Sequence, residues 1–320
     1  MELNKIHNID FLDNTLPDKC AQLIIADPPY YKTKGDFDFI WKTFEDYLSD
    51  VEKWALECKR LLADNGTILW YGHALKIAYS QIILDRHFEL INSLVWEKSD
   101  SQTIKGIEQI RMFAPVTERI LMYGQCADNY HNFIRKCLNP VQEYLKTIIS
   151  MNDLADLFLN NGFCKNKSSA IQNARACLIN KTGKPQMITE RQYNLIPNRE
   201  KKEYEALRQE YEALRQEYEV LRRPFNNHMR LLDVMKFSQA SHVSSNYDHD
   251  TVKPEPLTRA LILTCSRPND LVLVPFSGSG TECAMAAKEN RNFIGFDIEK
   301  KYVEMGNKRC VEYLRTQSIF

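Results

Sequence analysis

The residues in this chain best suited to chemistry are Asp27, Pro28, Pro29 and Tyr30, which directly follow the apolar run Leu23, Ile24, Ile25, Ala26. Apolar residues ending at an acid and two prolines predict a buried strand that stops at a rigid turn. Each proline fixes its own φ and lacks an N–H, so neither a central strand nor a helix continues through them. The turn presents a carboxylate, carbonyl oxygens and an aromatic ring at a strand's carboxyl end. Open α/β sheets bind their ligands at such ends. Acceptors beside a stacking ring suit a flat ligand with an exocyclic amine, such as adenine or cytosine. The rival reading is a plain β-to-loop turn with a solvated Asp and a half-buried Tyr.

A second constellation lies near the other end of the chain. Leu271, Val272, Leu273 and Val274 lead into Pro275, Phe276, Ser277, Gly278, Ser279, Gly280 and Thr281. An Ala-rich helical pattern over 283–288 follows, then a strand over 292–296 ended by Asp297. Strand, glycine turn, helix, strand and acid in this order predict a βαβ unit. Glycines 278 and 280 permit unusual φ values and close approach of a ligand to the backbone. An acid about twenty residues beyond the glycines stands where such folds hold a ribose.

In these two motifs the chain resembles the amino-DNA methyltransferases that use S-adenosylmethionine. The tetrapeptide 27–30 resembles their catalytic motif and Phe276–Thr281 their cofactor loop. The segment 7–10 resembles the family's opening, whose acid (here Asp10) contacts the cofactor. Thr251, Val252, Lys253 and Pro254 resemble the Lys-Pro motif that precedes the cofactor loop. Residues 66–70 and 118–123 resemble two further strands. The matches cover roughly 2–125 and 248–315, with the catalytic motif first, which is the order of the β group. One position departs: the family's usual Asp, two residues before the Phe, is Val274 here.

The resemblance implies a set of roles. Asp27 and Pro28 accept hydrogen bonds from the target amine, and Pro29 stiffens the turn. Tyr30 stacks on a flipped base, while Tyr31, Lys32 and Lys34 continue into a closing loop. Asp297 binds the cofactor ribose and Asp10 other polar cofactor groups. Lys253, Pro254 and the backbone of Phe276, Ser277, Gly278, Ser279, Gly280 and Thr281 complete the cofactor site. The implied cofactor is S-adenosyl-L-methionine, with no metal, and the implied acceptor is adenine N6 in duplex DNA. Cytosine N4 and a catalytically inactive DNA-binding relative stand as alternatives. No cysteine directly follows a proline, which argues against the cytosine-C5 route.

The elements that position these residues are expected to form an α/β, doubly wound, Rossmann-like methyltransferase sheet interrupted by a helical target-recognition insert. The expected boundaries are 1–125, 126–247 and 248–320. At 320 residues and 44% hydrophobic content the chain can bury a large core. No apolar stretch spans a bilayer. Nine cysteines without Cys-x-x-Cys spacing, and a start without a signal-like pattern, give the expectation of a cytoplasmic protein with no membrane partner.

Net charge is zero but unevenly spread. Residues 131–202 carry 12 basic against 5 acidic side chains, whereas residues 1–70 carry 8 against 13. A basic insert on a neutral body suits phosphate, although a solvated Lys-rich surface gives the same balance.

Within the insert, helices are expected at 141–150, at 151–159 capped by Asn152 or Asp153, and at 168–178, with a turn through Asn160, Asn161 and Gly162. Short helices around an Asn-Gly turn predict a helix-turn-helix-like unit that places polar side chains in the major groove. Asn166, Lys167, Ser168, Ser169, Gln172, Asn173 and Arg175 are the candidate readers, and a structural three-helix bundle is the alternative. Residues 184–193 are expected to form a strand or wing. Three heptads follow at 203–223, with Tyr204, Leu207, Tyr211, Leu214, Tyr218 and Leu221 on one helix face. That seam is expected to pack on its own domain, with a spacer arm or homodimer contact as alternatives. Pro224 ends it. A cognate restriction endonuclease is a further candidate partner.

Overall fold

The computed structural model describes residues 1–33, 38–98, 111, 113, 115–125, 130–179, 186–197, 199–239 and 252–317. Its strands are β1 (Lys5–His7), β2 (Ala21–Ala26), β3 (Leu62–His73), β4 (Glu89–Lys98), β5 (Thr117–Gly124), β6 (Val234–Phe237), β7 (Leu271–Val274) and β8 (Asn292–Phe296). Helices are α1 (Phe44–Leu61), α2 (Ile77–Leu84), α3 (Tyr130–Ile148), α4 (Met151–Asn160), α5 (Lys167–Leu178), α6 (Glu190–Tyr193), α7 (Lys201–Leu221), α8 (Glu255–Cys265), α9 (Thr281–Lys288) and α10 (Lys300–Gln317). The chain divides into two compact units, 1–127 with 223–320, and 128–222.

The first unit is one sheet ordered β1-β8-β7-β2-β3-β5-β4-β6. From the centre, β2 leads through α1 to β3 on one side, while β7 leads through α9 to β8 on the other. β2 and β7 pair in parallel, with Leu23 opposite Val272 and Ile24 opposite Leu273. The order in which successive strands are laid down therefore reverses between them, and a crevice is expected outside their carboxyl ends.

The apolar runs are continuous because both faces of the sheet are covered. Leu23, Ile25, Leu69, Tyr71, Val272 and Val274 pack with α8, α9 and α10 on one face. Their alternates Ile24, Ala26, Ile68, Trp70 and Leu273 pack with α1 and α2 on the other. Burial of each such side chain contributes about 1.5–3 kcal/mol. Helix α1 starts where Thr43 and Asp46 cap each other reciprocally, and it buries Tyr47, Val51, Trp54, Ala55, Cys58 and Leu61 at helical spacing.

Four expectations for the insert change. Residues 223–239 belong to the sheet unit, because β6 pairs with β4 through Val234 and Val95. Four residues at a sheet edge carry too little alternation to stand out in sequence. Helix α3 begins at Tyr130 and carries Pro140 inside it, rather than starting at 141. Helix α4 is capped by Ser150, whose hydroxyl accepts from the Asp153 N–H, not by Asn152 or Asp153. Residues 190–193 form helix α6 instead of a wing, because Thr189 and Gln192 make a capping box. Lys184 and Pro185 lie outside the described residues.

The heptad seam packs within its own unit. Tyr204 stacks on Tyr193 with ring centroids 3.8 Å apart and donates to the Ile188 carbonyl at 2.8 Å. Tyr211 packs with Cys137 and Leu138. The seam runs out before the last turn, where Leu221 is 71% exposed.

Candidate active site

Asp27 leaves the end of β2 half-buried, with Pro28 buried beneath it. Tyr30 folds back so that its hydroxyl donates to Asp27 Oδ1. Lys253, just before α8, places Nζ 2.5 Å from Asp27 Oδ2 and 3.7 Å from Glu118 on β5. Lys98, the last residue of β4, holds the same Glu118 at 2.7 Å. Acid and base thus alternate from Asp27 through Lys253 and Glu118 to Lys98.

The charges stabilise one another despite burial. Desolvation acts to lower Lys253, but the Asp27 and Glu118 carboxylates outweigh it and lift it above its ordinary value. Desolvation acts to raise Glu118, but Lys253 and Lys98 outweigh it and hold it below the usual range. Burial, with the Asp27 and Glu118 charges, pushes the Tyr30 phenol up, so it stays neutral and a donor.

Removing the ammonium should expose this balance. Lys253→Met leaves two carboxylates facing each other in a buried site and should cost about 3–5 kcal/mol near neutral pH. Because the Glu118 pair stabilises above the ordinary carboxylate value and is lost as pH falls, the deficit should narrow in acid. Thermal melts across pH 4–8 (~4 being the carboxylate range) check this, and a deficit independent of pH would refute it.

The turn after Tyr30 is held by Asp38, which the sequence alone does not single out. Its carboxylate accepts from the Tyr30 N–H at 2.6 Å, and its carbonyl accepts from the Lys32 N–H at 2.6 Å. Tyr31 and Lys32 take positive φ values of 58° and 51°, a strained pair directly after the Asp27–Tyr30 turn. Lys76 donates to the Tyr31 carbonyl. Lys34 lies outside the described residues.

On the other side of the switch point, the loop after β7 is organised by its own turn and by β8. Gly280 N–H donates to the Ser277 carbonyl at 2.7 Å, and Ser277 N–H to the Phe296 carbonyl at 2.8 Å. Gly278 and Gly280 take φ values of 45° and 72°. Asp297, at the end of β8, accepts from Gly278 N–H at 2.8 Å and from Glu299 N–H at 2.9 Å. Burial raises its carboxyl above the usual value. Phe276 wedges between Trp54 and Phe11, at centroid distances of 4.9 and 6.2 Å. Arg309 of α10, itself buried, donates to Thr281 Oγ1 at 2.8 Å and to the Ser279 carbonyl at 3.3 Å, and pairs with Glu255 at 2.6 Å.

Three residues expected at the cofactor, Lys253, Pro254 and Asp10, have the following surroundings. Lys253 is on the Asp27 carboxylate, with Pro254 behind it as the residue preceding α8. Asp10 is exposed and caps a 3-10 turn, accepting from the Leu12 N–H at 2.8 Å. Its neighbours reach the glycine loop and β8: Phe11 packs on Phe276, and Asn8 donates to the Asp297 carbonyl at 3.0 Å. Val274 is buried at the end of β7. Thr251 lies outside the described residues.

In the helical unit, α4 and α5 enclose Leu154, Ala155, Phe158, Ala170, Ala174 and Cys177. Gly162 (φ 72°) makes the turn between them. Lys167, Gln172 and Arg175 are exposed on α5, together with Ser168. Asn166 is committed to capping, accepting from the Ser169 N–H at 2.9 Å, and the Ser169 hydroxyl donates to the Asn166 carbonyl. Asn173 turns inward and donates to Cys164 Sγ at 3.1 Å.

An open, mostly parallel sheet with an acid–proline turn and a glycine loop on either side of its switch point is a doubly wound, Rossmann-like fold. Residues 21–308 match the DNA methylase family of N6/N4 type, and the chain belongs to that family. It is 26% identical over 330 residues to the type II methyltransferase M.HinfI of Haemophilus influenzae, covering 97% of this chain and 69% of that one. Identity to the DNA adenine methyltransferase YhdJ of Escherichia coli (strain K12) is 25% over 301 residues, covering 92% and 77%. The fold resembles TTHA0409 of Thermus thermophilus, solved in complex with S-adenosyl-L-methionine, with a TM-score of 0.51 at 16% identity over 97% and 95% of the two chains. No helix among the described residues is long and apolar enough to cross a membrane.

Proposed function

We propose that this enzyme transfers a methyl group from S-adenosyl-L-methionine to the exocyclic N6 of adenine in duplex DNA. The observation that carries the reading is the Asp27 carboxylate, held by Tyr30 on one oxygen and Lys253 on the other at the sheet's switch point. The crevice fits the cofactor. Its glycine loop offers backbone without side chains, Asp297 offers a desolvated carboxylate suited to ribose hydroxyls, and the buried Ser277 Oγ and Tyr71 Oη lack protein partners. When bound, the cofactor supplies an electrophilic methyl on a sulfonium.

The protein's part is positioning and electrostatics. An exocyclic amine is a poor nucleophile because its lone pair is delocalised into the ring. Each Asp27 oxygen keeps a lone pair beyond its existing bond and can accept from that NH2, with the Pro28 carbonyl as second acceptor. Both contacts draw the lone pair out of conjugation. Lys253 and Tyr30 fix the carboxylate's orientation, so little reorganisation is needed when the amine arrives. Duplex DNA hides this atom, so the base must be flipped into the crevice. Tyr30 has an aromatic face for it. On α5, Lys167, Gln172 and Arg175 supply charge and hydrogen bonds toward phosphate and base edges, and the basic content of 131–202 supports the same assignment.

Asp, rather than Ser, at the first position of the motif favours adenine over cytosine. Incubating the enzyme with duplex DNA and methyl-labelled cofactor, then digesting to nucleosides, tests the proposal. N6-methyladenine is the expected product. N4-methylcytosine would overturn the base assignment, and cofactor binding without incorporation would mark an inactive relative.

A further inference from the structure

Glu282 has no role in the scheme above, yet it is among the more costly residues in the sheet unit. It sits in the first turn of α9, directly after the glycine loop, and is only 4% exposed. Its Oε1 has no hydrogen-bond partner. A buried carboxyl oxygen left in this way is destabilising unless something pairs with it. Tyr71, at the end of β3, is fully buried, lies on the same sheet face as α9, and its hydroxyl is also unpartnered. Burial and then the Glu282 charge push the Tyr71 phenol up. Two buried, unpartnered polar atoms thus lie on the sheet face that α9 covers.

The charges around Glu282 narrow what it receives. The charges acting on it are Asp27 from β2, Lys253 from the segment before α8 and Arg309 from α10. Burial and the Asp27 carboxylate push its carboxyl up to about 7, so a cationic donor would hold it ionised. Arg309 and Lys253 are already committed to Glu255 and Asp27. The cofactor's amino-acid end brings the missing cation, an α-ammonium with three N–H donors. The acid that resembling proteins carry at the end of the preceding strand is Val274 here, buried and apolar.

The geometry points to Glu282 Oε1, assisted by Tyr71 Oη, as the acceptor for the α-ammonium of S-adenosyl-L-methionine. This assignment rests on the cofactor occupying the glycine loop. Calorimetry on the full-length protein tests it with three probes: S-adenosyl-L-methionine; S-adenosyl-L-homocysteine, which keeps the ammonium but has no sulfonium charge; and 5′-methylthioadenosine, which lacks the amino-acid end. Glu282→Gln should weaken the first two by roughly 10- to 100-fold, the range for loss of a charge-assisted hydrogen bond. Binding of 5′-methylthioadenosine should be unchanged, which also shows that the variant is folded. Equal loss for all three probes would mean that Glu282 merely shapes the loop, overturning the assignment. Loss for S-adenosyl-L-methionine alone would place the carboxylate at the sulfonium and overturn it too. Unchanged affinity for all three would remove Glu282 from the site, whereas failure of the wild-type protein to bind any of them would instead strike at the cofactor reading.

Discussion

Asp27→Ala should lower methyl transfer to DNA by at least roughly 10²–10³-fold, the scale for removing one preorganised electrostatic contact to a reacting group. Cofactor affinity should stay near the wild-type value. The separation follows from topology. Asp27 leaves β2, whereas the glycine loop leaves β7 and is held by Asp297, the Phe296 carbonyl and Arg309, none of which depends on Asp27. The fold should also survive, because Lys253 keeps a carboxylate partner in Glu118. Single-turnover methylation with calorimetric cofactor binding separates the two quantities. Transfer at near wild-type rate by the purified variant would remove Asp27 from the mechanism. If cofactor binding were lost as well, the carboxylate would belong to a shared site rather than to the target amine.

The parts of this site that are legible in sequence are those written along a short stretch of chain. β2 with its prolines, and β7 with its glycine turn, helix, strand and acid, each announce themselves in under thirty residues. Their pairing through Leu23 and Val272 is not local, but one switch point follows once both are placed in a parallel sheet. The parts that sequence does not show arise where distant strands end at the same level. Glu118 and Lys98 read as ordinary charged residues at strand ends, and only the pairing of β4 with β5 brings them to Lys253. The motif around Lys253 precedes the cofactor loop in sequence, which points to the cofactor, yet its side chain reaches Asp27. Asp38 binds back to the catalytic turn across eight residues, a separation with no periodic signature. The capping box Thr189–Gln192, by contrast, is readable. A Thr followed three residues later by Gln is a helix start, and giving it weight replaces the expected wing with α6.

Gly280→Val should cost the enzyme its cofactor while leaving Asp27 and its partners in place. Gly280 has φ 72°, where a β-branched residue is strained by about 1–2 kcal/mol or more. Space is also missing: a Cβ there would lie 2.6 Å from the Gly306 Cα and 3.2 Å from Ile6 Cδ1. The nearer atom is backbone of α10, which cannot rotate aside, so the loop itself must shift. A shift carries Ser279 and Thr281 off Arg309 and disturbs the hydrogen bond from Gly278 N–H to Asp297. The loop's proposed contacts to the cofactor lie along that path. Affinity for S-adenosyl-L-methionine should therefore fall by at least roughly tenfold, the equivalent of about 1.4 kcal/mol, and kinetics should show it as a raised KM for cofactor. Binding to duplex DNA should change little, because the exposed stripe on α5 belongs to the other compact unit. Gly280→Ala should fall between the two, since it brings the same Cβ without the branch. Unchanged cofactor affinity in the valine variant would mean that the loop adapts freely, and that the tight seat on α10 does not serve cofactor binding.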